Sequence, residues 1–454
     1  MSYNEAKFWH PMLHPNEMKQ RKPIRIVRGD GCYVFDEQGR KLVDGVAGLW
    51  NVNVGHNRQE VKDAIVRQLD ELEYFQLFDG ISHPRAEELS KKVIDMLEPE
   101  GMRRVLYSSG GSDSVETALK IARQYWKVRG QADRTKFISL KQGYHGTHFG
   151  GASVNGNTVF RRNYEPNLPG CFHVETPWLY RNPFTQDPEE LGRICAEMLE
   201  REIQFQSPDT VAAFIAEPIQ GAGGVIVPPA NYWPLVREVC DRYGVLLIAD
   251  EVVTGFGRSG SLFGSRGWGV RPDIMCLAKG ISSGYVPLGA TVVNARIEDA
   301  FAANADFGGA IMHGYTYAGH PVACAAAIAS LDIVVKEDLP ANAAKQGAYL
   351  LEALQPFAER FAAVGEVRGK GLMLALDLVA NKDTREPIDP LSGYANAVAE
   401  VARENGVLVR PVGTKIILSP PLVIQREQLD RIVDALAAGF EAVPFAGRRS
   451  RDGG

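Results

Sequence analysis

The 454-residue chain carries 50 Lys and Arg against 55 Asp and Glu, a formal net charge of -5, and is 45% hydrophobic and 23% charged. It is long enough to bury a large core and to split into more than one domain, and its charge balance excludes a polycationic surface for nucleic acid or anionic membrane. Six cysteines, Cys32, Cys171, Cys195, Cys240, Cys276 and Cys324, have no paired spacing and three lie in apolar contexts, as small buried hydrophobes of a reducing compartment do. The opening segment has no apolar run of signal length and no stretch approaches about 18 apolar residues, so a cytoplasmic protein is expected.

The first twenty residues read as an arm or short helix whose Trp9, His10 and His14 are expected to pack on their own chain. From Ile24 the residues alternate apolar and polar about a turn at 37–39, the pattern of an antiparallel hairpin. GLWNVNVGH follows as a loop, in which Trp50 suits a ligand wall and a core plug equally. A helix is predicted over 60–73, with Val61, Ala64, Ile65 and Leu69 on one stripe, and a second over 84–97. RVLYSSGGSDSVETALKIARQYW then gives a strand, a glycine turn and a helix with Val115, Ala118, Leu119, Ala122 and Trp126 inward and Asp113 and Glu116 at capping spacing. Gly110 and Gly111 permit a tight turn, and the helix start points free N–H groups outward, with Ser109 and Ser112 adding hydroxyls. Such a turn suits a phosphate, though an ordinary capped helix has the same sequence signature.

The alternation continues through TKFISL, CFHVE, VAAFIAEP and VLLIADE, with helices predicted over 188–202 and 232–243, the latter closed by Gly244. Unbroken apolar strands interleaved with helices predict an α/β fold with a mostly parallel central sheet flanked by helices. Ligands of such sheets lie beyond the strand C-termini, where Glu217, Asp250, Lys279 and the 109–113 turn all fall. Past about residue 336 come short strands between helices, a smaller α/β domain completed by the N-terminal hairpin, and a charged tail over 447–454 expected to be disordered. The expected division is 1–60 for the arm and hairpin, 61–335 for the large domain and 336–454 for the small domain with its tail.

Asp250 and Lys279, delivered at the ends of two buried strands, read either as a structural ion pair or as chemistry. Together with the glycine turn they meet the needs of pyridoxal 5'-phosphate. A lysine forms the Schiff base, an acid keeps the pyridine nitrogen protonated so that the ring absorbs electrons, and the turn holds the phosphate. Tyr144 is placed to lie against the ring, and His145 to support it or to cap the loop. A nicotinamide site is disfavoured because GGSDSV lacks the third glycine of the dinucleotide turn, and no liganding pattern joins the histidines, so no metal is expected.

GLWNVNVGH, SSGGSDSVETALK, YHG, EPIQGAGG, LLIADEVVTGFGRSG, AKGISSGYVPLGA, HGYTYAGHPVACA and GVLVRP occur in order over nearly the full length. In these the sequence resembles the class III aminotransferases, the ω-transaminase branch of fold type I pyridoxal-phosphate enzymes. The resemblance implies catalytic Lys279 and Asp250. It implies cofactor contacts from Gly111, Ser112, Tyr144, Glu217 and Val252, with Thr316 reaching the phosphate of the neighbouring subunit. Leu49, Trp50, Tyr144 and Arg410 would bind substrate, Arg410 by forking onto a carboxylate and swinging aside for amines that lack one. Glu217 would hold an arginine in check. SGGSD from Ser109 departs from the NSGSE or NSGTE of many relatives while keeping the turn. The implied function is transfer of an amino group from an ω-amino acid or primary amine to pyruvate or a related keto acid, by a homodimer with shared active sites, paired or not into a tetramer. Another fold type I activity, dialkylglycine decarboxylase-like or aminomutase-like, is the alternative.

Overall fold

A computed structural model describes residues 7–20 and 23–445, so the 447–454 tail lies outside the described residues. In the N-terminal arm Trp9 does not pack on its own chain but is 82% exposed, with Phe8 and Met12 also exposed. The alternating segment forms β1 (Ile26–Asp30), β2 (Tyr33–Asp36) and β3 (Lys41–Asp44), each antiparallel to the next, with the predicted turn between β2 and β3.

Helices α1 (Gln59–Glu71) and α2 (Pro84–Met96) follow. The predicted stripe on α1 needs one correction. Val61 is fully buried and Ala64 and Ile65 half-buried, but Leu69 is 51% exposed and its neighbour Gln68 turns inward. The amide of Gln68 tolerates burial because its Nε2 donates to the Leu72 carbonyl at 2.9 Å and its Oε1 accepts from Arg85 Nε at 3.1 Å.

Next come β4 (Met102–Ser108), α3 (Gly111–Val128), β5 (Lys136–Leu140), β6 (Cys171–Val174), α4 (Pro188–Phe205), β7 (Val211–Ala216), α5 (Tyr232–Tyr243), β8 (Leu246–Asp250), β9 (Ile274–Leu277) and β10 (Gly289–Asn294). Among the described residues these seven strands form one sheet in the order β4-β10-β9-β8-β7-β5-β6. Strands β5 to β9 run parallel, and β10 is antiparallel to both of its neighbours. Every residue of β7, β8 and β9 is buried. Their unbroken apolar runs arise because both faces are covered. On one face Val115, Ala118, Leu119, Ala122 and Trp126 of α3 pack on Ile215, Ile248 and Ile274. On the other, Leu191 and Leu199 of α4 and Val236 of α5 meet Phe214 and Leu247. Each fully buried side chain of this size contributes about 1.5–3 kcal/mol. Helix α5 ends at Gly244, whose φ of 68° is the left-handed conformation that stops it there.

The alanine-rich helix α6 (Pro321–Lys336) packs close to the sheet through Ala323, Cys324 and Ala327 and leads to α7 (Leu339–Leu354). Beyond it, β11 (Val364–Gly369), β12 (Leu374–Asn381), β13 (Glu386–Pro387), α8 (Tyr394–Glu404), β14 (Val407–Leu408), β15 (Arg410–Val412), β16 (Lys415–Leu418) and α9 (Arg426–Ala442) build the smaller α/β region. Its sheet runs β11-β12-β16-β15, while β14 pairs in parallel with β3, so the N-terminal hairpin joins the C-terminal part of the chain. The fully buried Arg258 ties these parts together. Its guanidinium donates to the carbonyls of Leu372, Ser419 and Pro420 and to Asn53 Oδ1, and burial without a carboxylate partner brings its pKa down to about 9.

Candidate active site

The C-terminal ends of β5, β7, β8 and β9 open into one cavity of about 510 Å³, in the range of small-molecule sites. Of the residues singled out from sequence, Leu49, Trp50, Gly111, Ser112, Tyr144, Glu217, Asp250, Val252, Lys279 and Arg410 all line it. Thr316 does not. It is exposed on the outer surface, its carbonyl accepting from the Tyr74 hydroxyl at 2.7 Å.

The last residue of β8 delivers Asp250, and the turn after β9 delivers Lys279. Lys279 has φ of 46°, a left-handed conformation that costs a non-glycine residue on the order of 1–3 kcal/mol and persists only where its surroundings impose it. Trp50, which also lines the cavity, has a positive φ of 66°. Asp250 and Lys279 are not paired with each other. Asp250 Oδ2 instead meets His145 Nδ1 at 2.7 Å, and its Oδ1 accepts the Val252 amide at 3.1 Å. The ion-pair reading of the two strand ends therefore gives way. His145 supports the acid rather than capping the loop, its backbone N–H donating to Asn155 Oδ1 while Asn155 Nδ2 holds the Gly146 carbonyl. Burial lowers the pKa of Lys279, opposed by Asp250 and Glu217, toward the neutral amine that a nucleophile requires.

Glu217 faces two backbone amides and makes no ion pair with an arginine among the described residues. Its Oε1 accepts the Tyr144 amide at 3.0 Å and its Oε2 the Gly221 amide at 2.8 Å. Burial raises its pKa to about 7, with His145 opposing and Asp250 adding to the rise. The Arg410 guanidinium makes no ion pair among the described residues, and burial lowers its pKa against the influence of Tyr144. A cation thus stands uncommitted in a cavity bounded by Trp50 and Tyr144. Trp50 serves both sequence readings, since it lines the cavity and is only 5% exposed, packed with Ile219, Val225 and Met373. Leu49 beside it is half exposed.

The glycine turn fits an anion. Helix α3 begins after Gly110 with no side chain capping its first amides. A Cβ on Gly111 would come 2.8 Å from Val252 Cγ1, and one on Gly146 2.7 Å from Ser112 Oγ, so side chains there would fill the cradle. The predicted cap is corrected in one respect. Asp113 Oδ2 reaches back to the Ser109 amide at 2.9 Å and its Oδ1 meets His148 Nε2 at 2.6 Å, but Glu116 lies a turn further on and caps nothing. Aspartate in SGGSD therefore shapes the turn from outside the cradle.

Sequence reasoning missed Phe160, whose ring meets Tyr144 edge-on at 4.9 Å, and Pro11 and Met12 of the arm, which also line the cavity. No periodicity marks these loop residues. Glu251, next to Asp250, points the other way: fully buried, it accepts from Thr254 Oγ1, the Gly264 and Ser265 amides and Ser265 Oγ, and so folds the loop over 251–265.

The family model for class-III aminotransferases matches residues 15–440. The chain belongs to the class III aminotransferases. Pyridoxal 5'-phosphate is accordingly the cofactor of this aminotransferase, and transamination its reaction. The enzyme is 60% identical to an amine transaminase from an uncultivated Pseudomonas species, with a TM-score of 0.95 over 96% of this chain and 99% of that one. It is 41% identical to an (S)-enantioselective omega-transaminase from Thermomicrobium roseum, with a TM-score of 0.92 over 96% of each chain. Among curated proteins, a putrescine–pyruvate aminotransferase from Pseudomonas aeruginosa is 40% identical over 93% of this chain and 91% of its own.

Proposed function

We propose that the protein transfers the amino group of a primary amine or ω-amino acid to pyruvate or a related keto acid, giving an aldehyde or ketone and alanine or the corresponding amino acid. The observation that carries this reading is Arg410, an unpaired guanidinium that lines the same cavity as Trp50 and Tyr144. It supplies a bidentate site for the keto-acid carboxylate while the aromatic walls accept an amine that has none. The relatives named above, one acting on putrescine and pyruvate, support the same pairing.

When bound, pyridoxal 5'-phosphate supplies a carbonyl carbon that joins amines and a ring that takes up the electron pair of the donor carbon. The residues of the chain have separate tasks around it. The first amides of α3 and the Ser112 hydroxyl hold the phosphate. Asp250, steadied by His145, holds a proton at the ring nitrogen. Val252 and Tyr144 bound the ring, and Glu217 fixes Tyr144 through its backbone. Lys279 would move a proton away from the donor carbon as general base and return one in the second half-reaction.

Thr316 belongs to a second site in this reading. Around it Phe75, Phe78, Ile81, Ile311, Met312 and Tyr317 are all exposed. An apolar face of this kind favours cover by a second copy, with Thr316 reaching the partner's phosphate. None of the described helices is long and apolar enough to cross a membrane.

The test is a donor panel. Putrescine, β-alanine, taurine, 4-aminobutyrate and 1-phenylethylamine are each incubated with holoenzyme and pyruvate, and alanine and carbon dioxide are measured. Alanine equimolar with carbonyl product and no carbon dioxide is expected; carbon dioxide release, or no alanine from any donor, would overturn the proposal.

A further inference from the structure

The segment after α1 forms a bed for the 313–320 loop. The Tyr74 hydroxyl donates to the Thr316 carbonyl at 2.7 Å, and its ring packs edge-on against Tyr317 at 5.7 Å and tilted against His320 at 5.6 Å. Phe78 lies so close under Gly314 that a Cβ there would come 3.0 Å from Phe78 Cζ, and Leu77 lies under Gly319, where a Cβ would come 2.4 Å from Cδ1. The two ends of the loop are pinned elsewhere. Thr117 Oγ1 donates to the Asp113 carbonyl and lies 2.8 Å from His313 Nε2, and the Tyr315 hydroxyl donates to the Asp113 carbonyl at 3.2 Å. His83 Nδ1 accepts the Ala86 amide, which leaves Nε2 to carry the proton toward the Gly319 carbonyl at 2.7 Å. Between these anchors Tyr74 makes the hydrogen bond to Thr316 itself.

We propose that Tyr74 is a positioning residue for the cofactor site of the neighbouring subunit, its hydroxyl fixing the peptide after Thr316 so that the threonine presents its side chain to the partner's phosphate. This rests on the role proposed above for Thr316. It requires no contact between Tyr74 and the cofactor. It sets Tyr74 apart from the apolar residues around it, which shape the face without orienting the threonine. One hydroxyl of this kind is worth roughly two- to tenfold in an equilibrium constant.

Tyr74→Phe, Thr316→Ala and the double variant separate the two claims. Phenylalanine keeps the ring packed on Tyr317 and His320 and removes only the donor. For each protein the dissociation constant of pyridoxal 5'-phosphate is measured by fluorescence, with subunit association followed by sedimentation. Tyr74→Phe is expected to weaken cofactor binding roughly fivefold and Thr316→Ala roughly tenfold, the double variant binding like Thr316→Ala alone and every protein sedimenting as wild type. Weakened binding in Thr316→Ala with wild-type binding in Tyr74→Phe would overturn the role of Tyr74 and leave that of Thr316 standing. Losses that multiply in the double variant, or a Tyr74→Phe protein that loses the cofactor only as its subunits separate, would overturn it as well. Unchanged binding in Thr316→Ala would overturn both readings.

Discussion

The interior of the cavity and the surface around Thr316 are built on opposite terms. Inside, the two acids and the amide behind them are enclosed and committed, Asp250 to His145, Glu217 to two backbone amides and Asn155 to the His145 and Gly146 backbone, while Arg410 is left for substrate. Outside, Thr316 is exposed among Phe75, Phe78, Ile81, Ile311, Met312 and Tyr317. A fold that buries charge with such care inside leaves this face apolar because, on the proposed reading, a second copy finishes it. The interior then carries the proton chemistry, and the outer face contributes grip on the cofactor of another chain.

That division can be broken by substitution. Lys279→Ala removes the proposed base and is expected to cost about 10³- to 10⁴-fold in turnover with subunit association unchanged; normal turnover in the variant would remove the lysine from the chemistry. Asp250→Asn keeps the shape of the side chain but removes the charge proposed to hold a proton at the ring nitrogen. Steady-state assays should show kcat lower by roughly 10² to 10³-fold, with cofactor retention affected far less.

A smaller effect concerns pH. Burial raises the Glu217 pKa to about 7, above its unfolded value, so its neutral form favours the fold. The contribution is complete below the ordinary glutamate range and is lost as pH rises through about 7. In the apoprotein, Glu217→Gln should flatten the dependence of melting temperature on pH between about 4.5 and 7 by a few degrees relative to wild type. Parallel curves would place the ionised form inside the fold and undo the account of Glu217.

Much of the interior was legible because the physics that buries a strand also marks its end. β7, β8 and β9 lose alternation when covered on both faces, and the polar residue that ends each run is Glu217, Asp250 or, one residue on, Lys279. Some of the residues contributed by loops were not legible. Phe160 and Met12 reach the cavity, and Asn155 the backbone behind it, through chain paths that no periodicity encodes, and the amides of Tyr144 and Gly221 that Glu217 faces also come from loops. The stripe on α1 failed for a related reason. Gln68 and Leu69 are adjacent, a pattern 100° wide admits either, and the choice went to Gln68 once Leu72 and Arg85 satisfied its amide.

On the proposed reading, one cavity serves two unlike substrates because Arg410 is left unpaired. The direct measurement is the pair of half-reactions of Arg410→Ala, followed by absorbance of the bound cofactor, first with 1-phenylethylamine and then with pyruvate. The pyruvate half is expected to slow by about 10²-fold, the loss of a charge-assisted contact, while the amine half changes by less than about threefold. Equal losses in both halves would contradict it.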